Sequence, residues 1–136
     1  MSAGERFFDT NVLLYLLSGD AAKADRAEDL ISGSGIVSVQ VLNEFAAVAS
    51  RKLRMAWPEV REILAQVRAV CRIVPLDVET HEAGLNLAER WRLPFYDAMI
   101  VASALRAGCS VLYSEDFQDG RVFEKHLTVR NPFRQA

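Results

Sequence analysis

At 136 residues, with 16 Lys or Arg against 18 Asp or Glu and a formal charge of −2, the chain is long enough for one domain with its own core and too evenly charged for a wholly basic nucleic-acid-binding surface. Its two cysteines, Cys71 and Cys109, form no CxxC pair and are too few for a disulfide framework, which fits small core residues in a reducing, cytoplasmic setting. The start MSAGERFF lacks a basic segment followed by an apolar run, and no apolar stretch approaches the roughly 18 residues of a membrane helix, so a soluble, unprocessed chain is expected, a single domain over residues 1–136.

The first element is the stretch FFDTNVLLY, residues 7–15. Phe7 and Phe8 read as the end of a buried strand, and Val12, Leu13, Leu14, Leu16 and Leu17 are too apolar for a surface turn. Thr10 and Asn11 suit a helix start, because their side chains can accept bonds from free backbone N–H groups. Asp9 is thus expected at the C-terminal end of a central strand, beside the positive end of a helix dipole and on the edge where open α/β sheets bind ligands. The plainer alternative is a helix cap and nothing more.

A short helix is expected over 12–18 and a second over about 20–32, capped by Asp20 and stopped by Gly33, Ser34 and Gly35. GIVSV predicts a buried strand at 36–39, and a helix follows from about Gln40 with Val41, Leu42, Phe45, Val48 and Ala49 on one stripe and Glu44 on its flank. Trp57-Pro58 starts another helix through Val60, Ile63, Leu64, Val67 and Val70. IVPL, 73–76, predicts a third strand, placed at a sheet edge because Pro75 lacks a ladder donor. Asp77 caps a helix running to about Arg92, with Val78, His81, Leu85 and Ala88 along one side. His81 has no second His or Cys at metal-ligand spacing and reads as a packed or half-exposed residue, and His126 has less context still.

Leu93-Pro94 ends that helix. Tyr96-Asp97-Ala98 begins one so apolar, from Met99 to Leu105, that it is expected buried on most sides, with Asp97 in its first turn. SVLYSEDFQDG, 110–120, repeats the opening pattern: a short strand runs into Ser114, Glu115, Asp116 and Asp119. LTVRNP supplies a last strand.

Strands alternating with helices imply a mostly parallel sheet with helices on both faces, in which all strand C-termini share one edge. Asp9, Glu44, Asp97 and Asp116 all fall at or near that edge. Carboxylates gathered in a partly buried pocket require something to offset their repulsion. With no His or Cys among them, oxygen-only ligation points to a hard cation, Mg2+ or Mn2+ rather than zinc.

DTNVLLY at 9–15, NE at 43 and 44, YDAMI at 96–100 and SEDFQDG at 114–120 resemble, in order and over nearly the whole chain, the four acidic motifs of PIN-domain ribonucleases, above all the VapC-like toxins. The resemblance implies a three-layer α/β/α fold with a five-stranded parallel sheet of order 3-2-1-4-5. It carries Asp9, Glu44, Asp97 and Asp116 over as metal ligands and catalytic residues, with Asp9, Asp97 and Asp116 the firmer ligands. It makes Thr10, Asn11 and Ser114 supporting or phosphate-orienting groups, with Asp119 a rival to Asp116 and Glu115 a weaker one. It further implies Mg2+- or Mn2+-dependent cleavage of RNA leaving a 5′ phosphate and a 3′ hydroxyl, a cognate antitoxin over the acidic cleft, and a homodimer. Arg51, Lys52, Arg54, Arg90, Arg92 and Arg121 are candidates to flank the pocket and hold RNA phosphates, although a solvated surface charge is the plainer reading of each. Two other classes stay open: a catalytically silent module with the same fold, and a phosphoaspartate enzyme or receiver domain, although a DxD phosphatase requires an acid where this chain has Asn11.

Overall fold

The computed structural model describes residues 5–134, so the expectation of an unprocessed start falls on residues 1–4, outside the described residues. Among the described residues six strands form one sheet: β1 (Arg6–Phe8), β2 (Gly35–Ser38), β3 (Cys71–Val74), β4 (Val111–Tyr113), β5 (Val122–Phe123) and β6 (Leu127–Arg130), in the order β3-β2-β1-β4-β6-β5. The first five positions are parallel and reproduce the expected 3-2-1-4-5 order, with LTVR as the fifth strand. The correction is a sixth strand: β5 pairs antiparallel with β6 through Val122 opposite Thr128 and Phe123 opposite Leu127. Two residues are too short to show any alternation in sequence.

Among the described residues six helices cover the sheet: α1 (Thr10–Leu14, continued by a 3-10 turn at Tyr15–Leu17), α2 (Ala21–Ser32), α3 (Val39–Arg51), α4 (Trp57–Val70), α5 (Val78–Trp91) and α6 (Phe95–Arg106). Each start has a local reason. Asp20, Ser38 and Asp77 cap α2, α3 and α5 with side-chain oxygens, and Pro58 sits in the first turn of α4. Among the described residues no helix is long and apolar enough to cross a membrane.

Three expectations shift. Strand β3 lies at the predicted edge but at 71–74, because α4 runs into it without a loop, and Pro75 follows the strand rather than interrupting it. Helix α1 begins at Thr10, two residues early, with Asp9 as its cap. On α5 the buried side is Thr80, Gly84 and Leu87, whereas Val78 is 71% exposed and Leu85 44%. Close approach to α6 explains this last case, since a Cβ on Gly84 would run into the Met99 sulfur. A glycine on α5 makes room there for the Met99 side chain of α6.

The core lies on both sides of β1, where Phe7 and Phe8 are wholly buried together with Val12, Leu13, Phe45, Val101 and Leu112. Cys71 and Cys109 are buried and free, as expected, and burial pushes the Cys109 thiol up to about 12. Gly35 is required where β2 passes β1: a Cβ there would lie 2.5 Å from the Phe8 ring and 2.9 Å from the Arg6 carbonyl oxygen. Phe8 cannot withdraw, so Gly35→Ala is expected to destabilise the protein by about 1–3 kcal/mol. Gly19 has nothing within 4 Å of its added Cβ, so Gly19→Ala serves as control. Thermal melts of the two variants settle the point, and equal melting temperatures would refute the overpacking argument.

Candidate active site

Asp9 directly follows β1 and is only 4% exposed. Its backbone N–H donates to the Tyr113 carbonyl at 3.0 Å, which keeps it level with the end of β4. Its carboxyl is held at both oxygens: Oδ1 accepts from the Thr10 N–H at 2.7 Å, and Oδ2 accepts from the Ser114 hydroxyl at 2.7 Å. Asp9 is therefore a helix cap that is also tied across the sheet edge to Ser114. Thr10 and Asn11 do not cap the helix; their side chains face the site instead.

Ser114, fully buried at the end of β4, also accepts from Asn11 Nδ2 at 3.3 Å and from the Asp116 N–H at 3.0 Å. Asn11 Oδ1 in turn accepts from the Glu115 N–H at 3.3 Å. The turn that carries Asp116 is thus laced to the start of α1. On the other side, the Thr10 hydroxyl donates to Glu44 Oε1 at 2.6 Å, and Gln40 Nε2 donates to Glu44 Oε2 at 3.3 Å and to the Tyr96 carbonyl at 3.1 Å.

Asp97 is the third residue of α6, whose cap position is Pro94 with no side-chain bond, so the capping alternative does not apply to it. Asp119 is engaged elsewhere: it accepts from the Asn131 N–H at 2.9 Å and pairs with Arg134 at 3.6 Å. Asp116, and not Asp119, is the acid whose charge acts on Asp9 and Asp97. Glu115 turns outward to the Tyr15 hydroxyl. Of the arginines expected near the pocket, Arg90 pairs with Glu124 at 2.8 Å and Arg121 lies over the Phe123 ring at 4.6 Å. His81 is exposed, edge-on to Phe95. Gln40 was missed by sequence reasoning, although its place one helical turn before Glu44 was visible.

Burial is the main force on Asp9. It raises the carboxyl to about 7 against the opposing bonds from Ser114 and Thr10, and the charges of Asp116 and Glu44 add to it. Asp97 is also raised, by burial first and then by Asp116 and Glu44. The sign follows from linkage: between the ordinary carboxylate value and about 7, the folded Asp9 keeps a proton that the unfolded chain has shed. Metal-free stability should therefore fall as pH rises through that window, at up to about 1.4 kcal/mol per pH unit. Melts in EDTA at about pH 5.5 and about pH 8 should differ clearly for wild type and less for Asp9→Asn. The same pH difference in both proteins would show that Asp9 is not its source.

All of these donors are oxygens, and the groups acting most strongly on Asp9 and Asp97 include no cation. In donor type and charge the set fits a hard divalent ion. Among the described residues no three Asp, Glu, His or Cys side chains are gathered closely enough to grip one ion as they stand, so the fit rests on charge and chemistry.

A family model of the PIN domain matches residues 6–122. No curated protein sequence matches significantly. Among solved structures, a toxin-antitoxin complex from Klebsiella pneumoniae has TM-score 0.70 and 19% identity, covering 96% of this chain and 100% of that one. VapC20 from Mycobacterium tuberculosis, a sarcin-ricin loop cleaving toxin, has TM-score 0.67 and 21% identity over 84% and 92%. VapBC2 from Rickettsia felis, bound to a DNA fragment from its promoter, has TM-score 0.65 and 16% identity over 93% and 98%. At such identities the likeness is one of fold.

Proposed function

We propose, from the premise that this chain belongs to the PIN domain family, that it is a divalent-cation-dependent endoribonuclease and the toxin of a toxin-antitoxin pair. The observation that carries the reading is Asp9, a buried carboxyl bonded at both oxygens and pressed by the charges of Asp116 and Glu44. Burying and crowding negative charge in this way serves no purpose in the fold that an uncharged cap would not serve better.

Asp9, Asp97 and Asp116 would hold Mg2+ or Mn2+, with Glu44 beside them. When bound, the cation supplies an acidified water and offsets charge on the phosphate and leaving oxygen. The chain's own residues do the positioning. Ser114 and the Thr10 N–H fix the Asp9 carboxylate, and the Thr10 hydroxyl fixes Glu44. Asn11 holds the Asp116 turn against α1 through Ser114 and the Glu115 N–H.

The toxin assignment draws support from similarity to a toxin-antitoxin complex and to a sarcin-ricin loop cleaving toxin. A partner antitoxin and a homodimer belong to the same reading. Purified protein incubated with RNA should cut it in Mg2+ or Mn2+, stop in EDTA, and leave 5′ phosphates. Intact RNA in both cations would overturn the reading.

A further inference from the structure

Gln40 sits in the first turn of α3, 4% exposed, and its amide nitrogen bridges two helices: it donates to Glu44 on α3 and to the Tyr96 carbonyl on α6. Its Oε1, equally buried, has no hydrogen-bond partner. Turning the amide over repairs nothing, because the oxygen would then face two acceptors and the nitrogen would be orphaned. A buried acceptor left unsatisfied destabilises a fold, and an apolar side chain of the same length would avoid that penalty. What only the glutamine offers is one donor group shared between the carboxylate of Glu44 and the helical turn that carries Asp97.

We infer that Gln40 is a positioning residue that holds Glu44 at a fixed place relative to Asp97 and thereby sets the affinity of the acid cluster for a divalent cation. The inference rests on the cation reading above. Glu44 Oε1 is already held by the Thr10 hydroxyl, so the Gln40 bond to Oε2 removes the remaining freedom of the carboxylate to swing. Tying the same amide to Tyr96, the residue before Asp97, links the two acids across elements that are otherwise distant in sequence. Groups that orient ligands in this way typically account for about 10- to 100-fold in metal affinity.

The test is Mn2+ titration by calorimetry, with thermal melts in EDTA as the second readout, on wild type, Gln40→Met, Gln40→Ala and each combined with Glu44→Ala. Gln40→Met should melt in EDTA at or above the wild-type temperature and yet bind Mn2+ about tenfold or more weakly. Adding Gln40→Met to Glu44→Ala should cause no further loss, since the residue it acts through is gone. A lower melting temperature with an unchanged Kd is the signature of a role in the fold alone and overturns the inference. Gln40→Ala carries the same expectation for Kd should the methionine variant fail to fold. Wild-type affinity in the Gln40 variants would end the positioning role while leaving the cation site standing; a wild type that takes up no Mn2+ removes both.

Discussion

Asp97→Asn should lose about a hundredfold or more of RNA cleavage in Mg2+ and in Mn2+ while the protein stays folded. Asn has the shape of Asp, and Asp97 caps nothing, since α6 starts from Pro94 with no side-chain bond. The substitution therefore removes a charge and little else. Asp9→Asn should lose as much activity but is a less clean experiment. The new amide can keep the Thr10 N–H bond through its oxygen, yet its NH2 then faces the Ser114 oxygen, which already accepts from Asn11 and Asp116. Some of the loss in that variant will come from a displaced Asp116 turn. If both variants cut RNA as fast as wild type in either cation, the site is misassigned.

The second large effect is thermal. Asp9 and Asp97 are held above the ordinary carboxylate range by burial and by neighbouring acids, a strain that the proposed cation would relieve. Binding to the folded state alone adds about 2.7 kcal/mol at a hundredfold excess over Kd, several degrees of melting temperature for a domain of this size. Millimolar Mn2+ should therefore raise the melting temperature of wild type above its value in EDTA. Asp97→Asn should melt in EDTA at the wild-type temperature or higher, having lost one repelling charge, and its Mn2+ shift should be blunted. Equal shifts in the two proteins would take Asp97 out of the site.

Much of this was readable from the chain because the information is local. An acid between an apolar strand and an apolar helix, as at Asp9, and a strand running into an acidic turn, as at Asp116, are patterns of a few neighbouring residues. What stayed hidden depends on what arrives from elsewhere. Strand β5 is two residues long and exists only because β6 returns beside it. The buried side of α5 is set by how closely α6 approaches Gly84, a matter of size that hydropathy does not record. That Asp119 is engaged away from Asp9 depends on Asn131 and Arg134, which bond it. Gln40 shows its role only because the Tyr96 carbonyl, 56 positions later, comes to meet it.

The place of β1 in the sheet has a bearing on when the protein can act during its own synthesis. β1 is made first, yet it lies between β2 and β4, and Asp9 is fixed by Ser114, 105 positions downstream. Pairings of such long range form late, because the chain between must be closed before they return any stabilisation. On the ribosome, the first acid waits with half its sheet partners absent until the residues up to Asp116 have emerged. A chain cut short before β4 carries three of the acids at most and lacks the strand and the Ser114 hydroxyl that hold Asp9 on that side, with β2 alone beside β1. If the acids act together as proposed, a nascent or truncated polypeptide would be inactive, and only a nearly finished one would be competent.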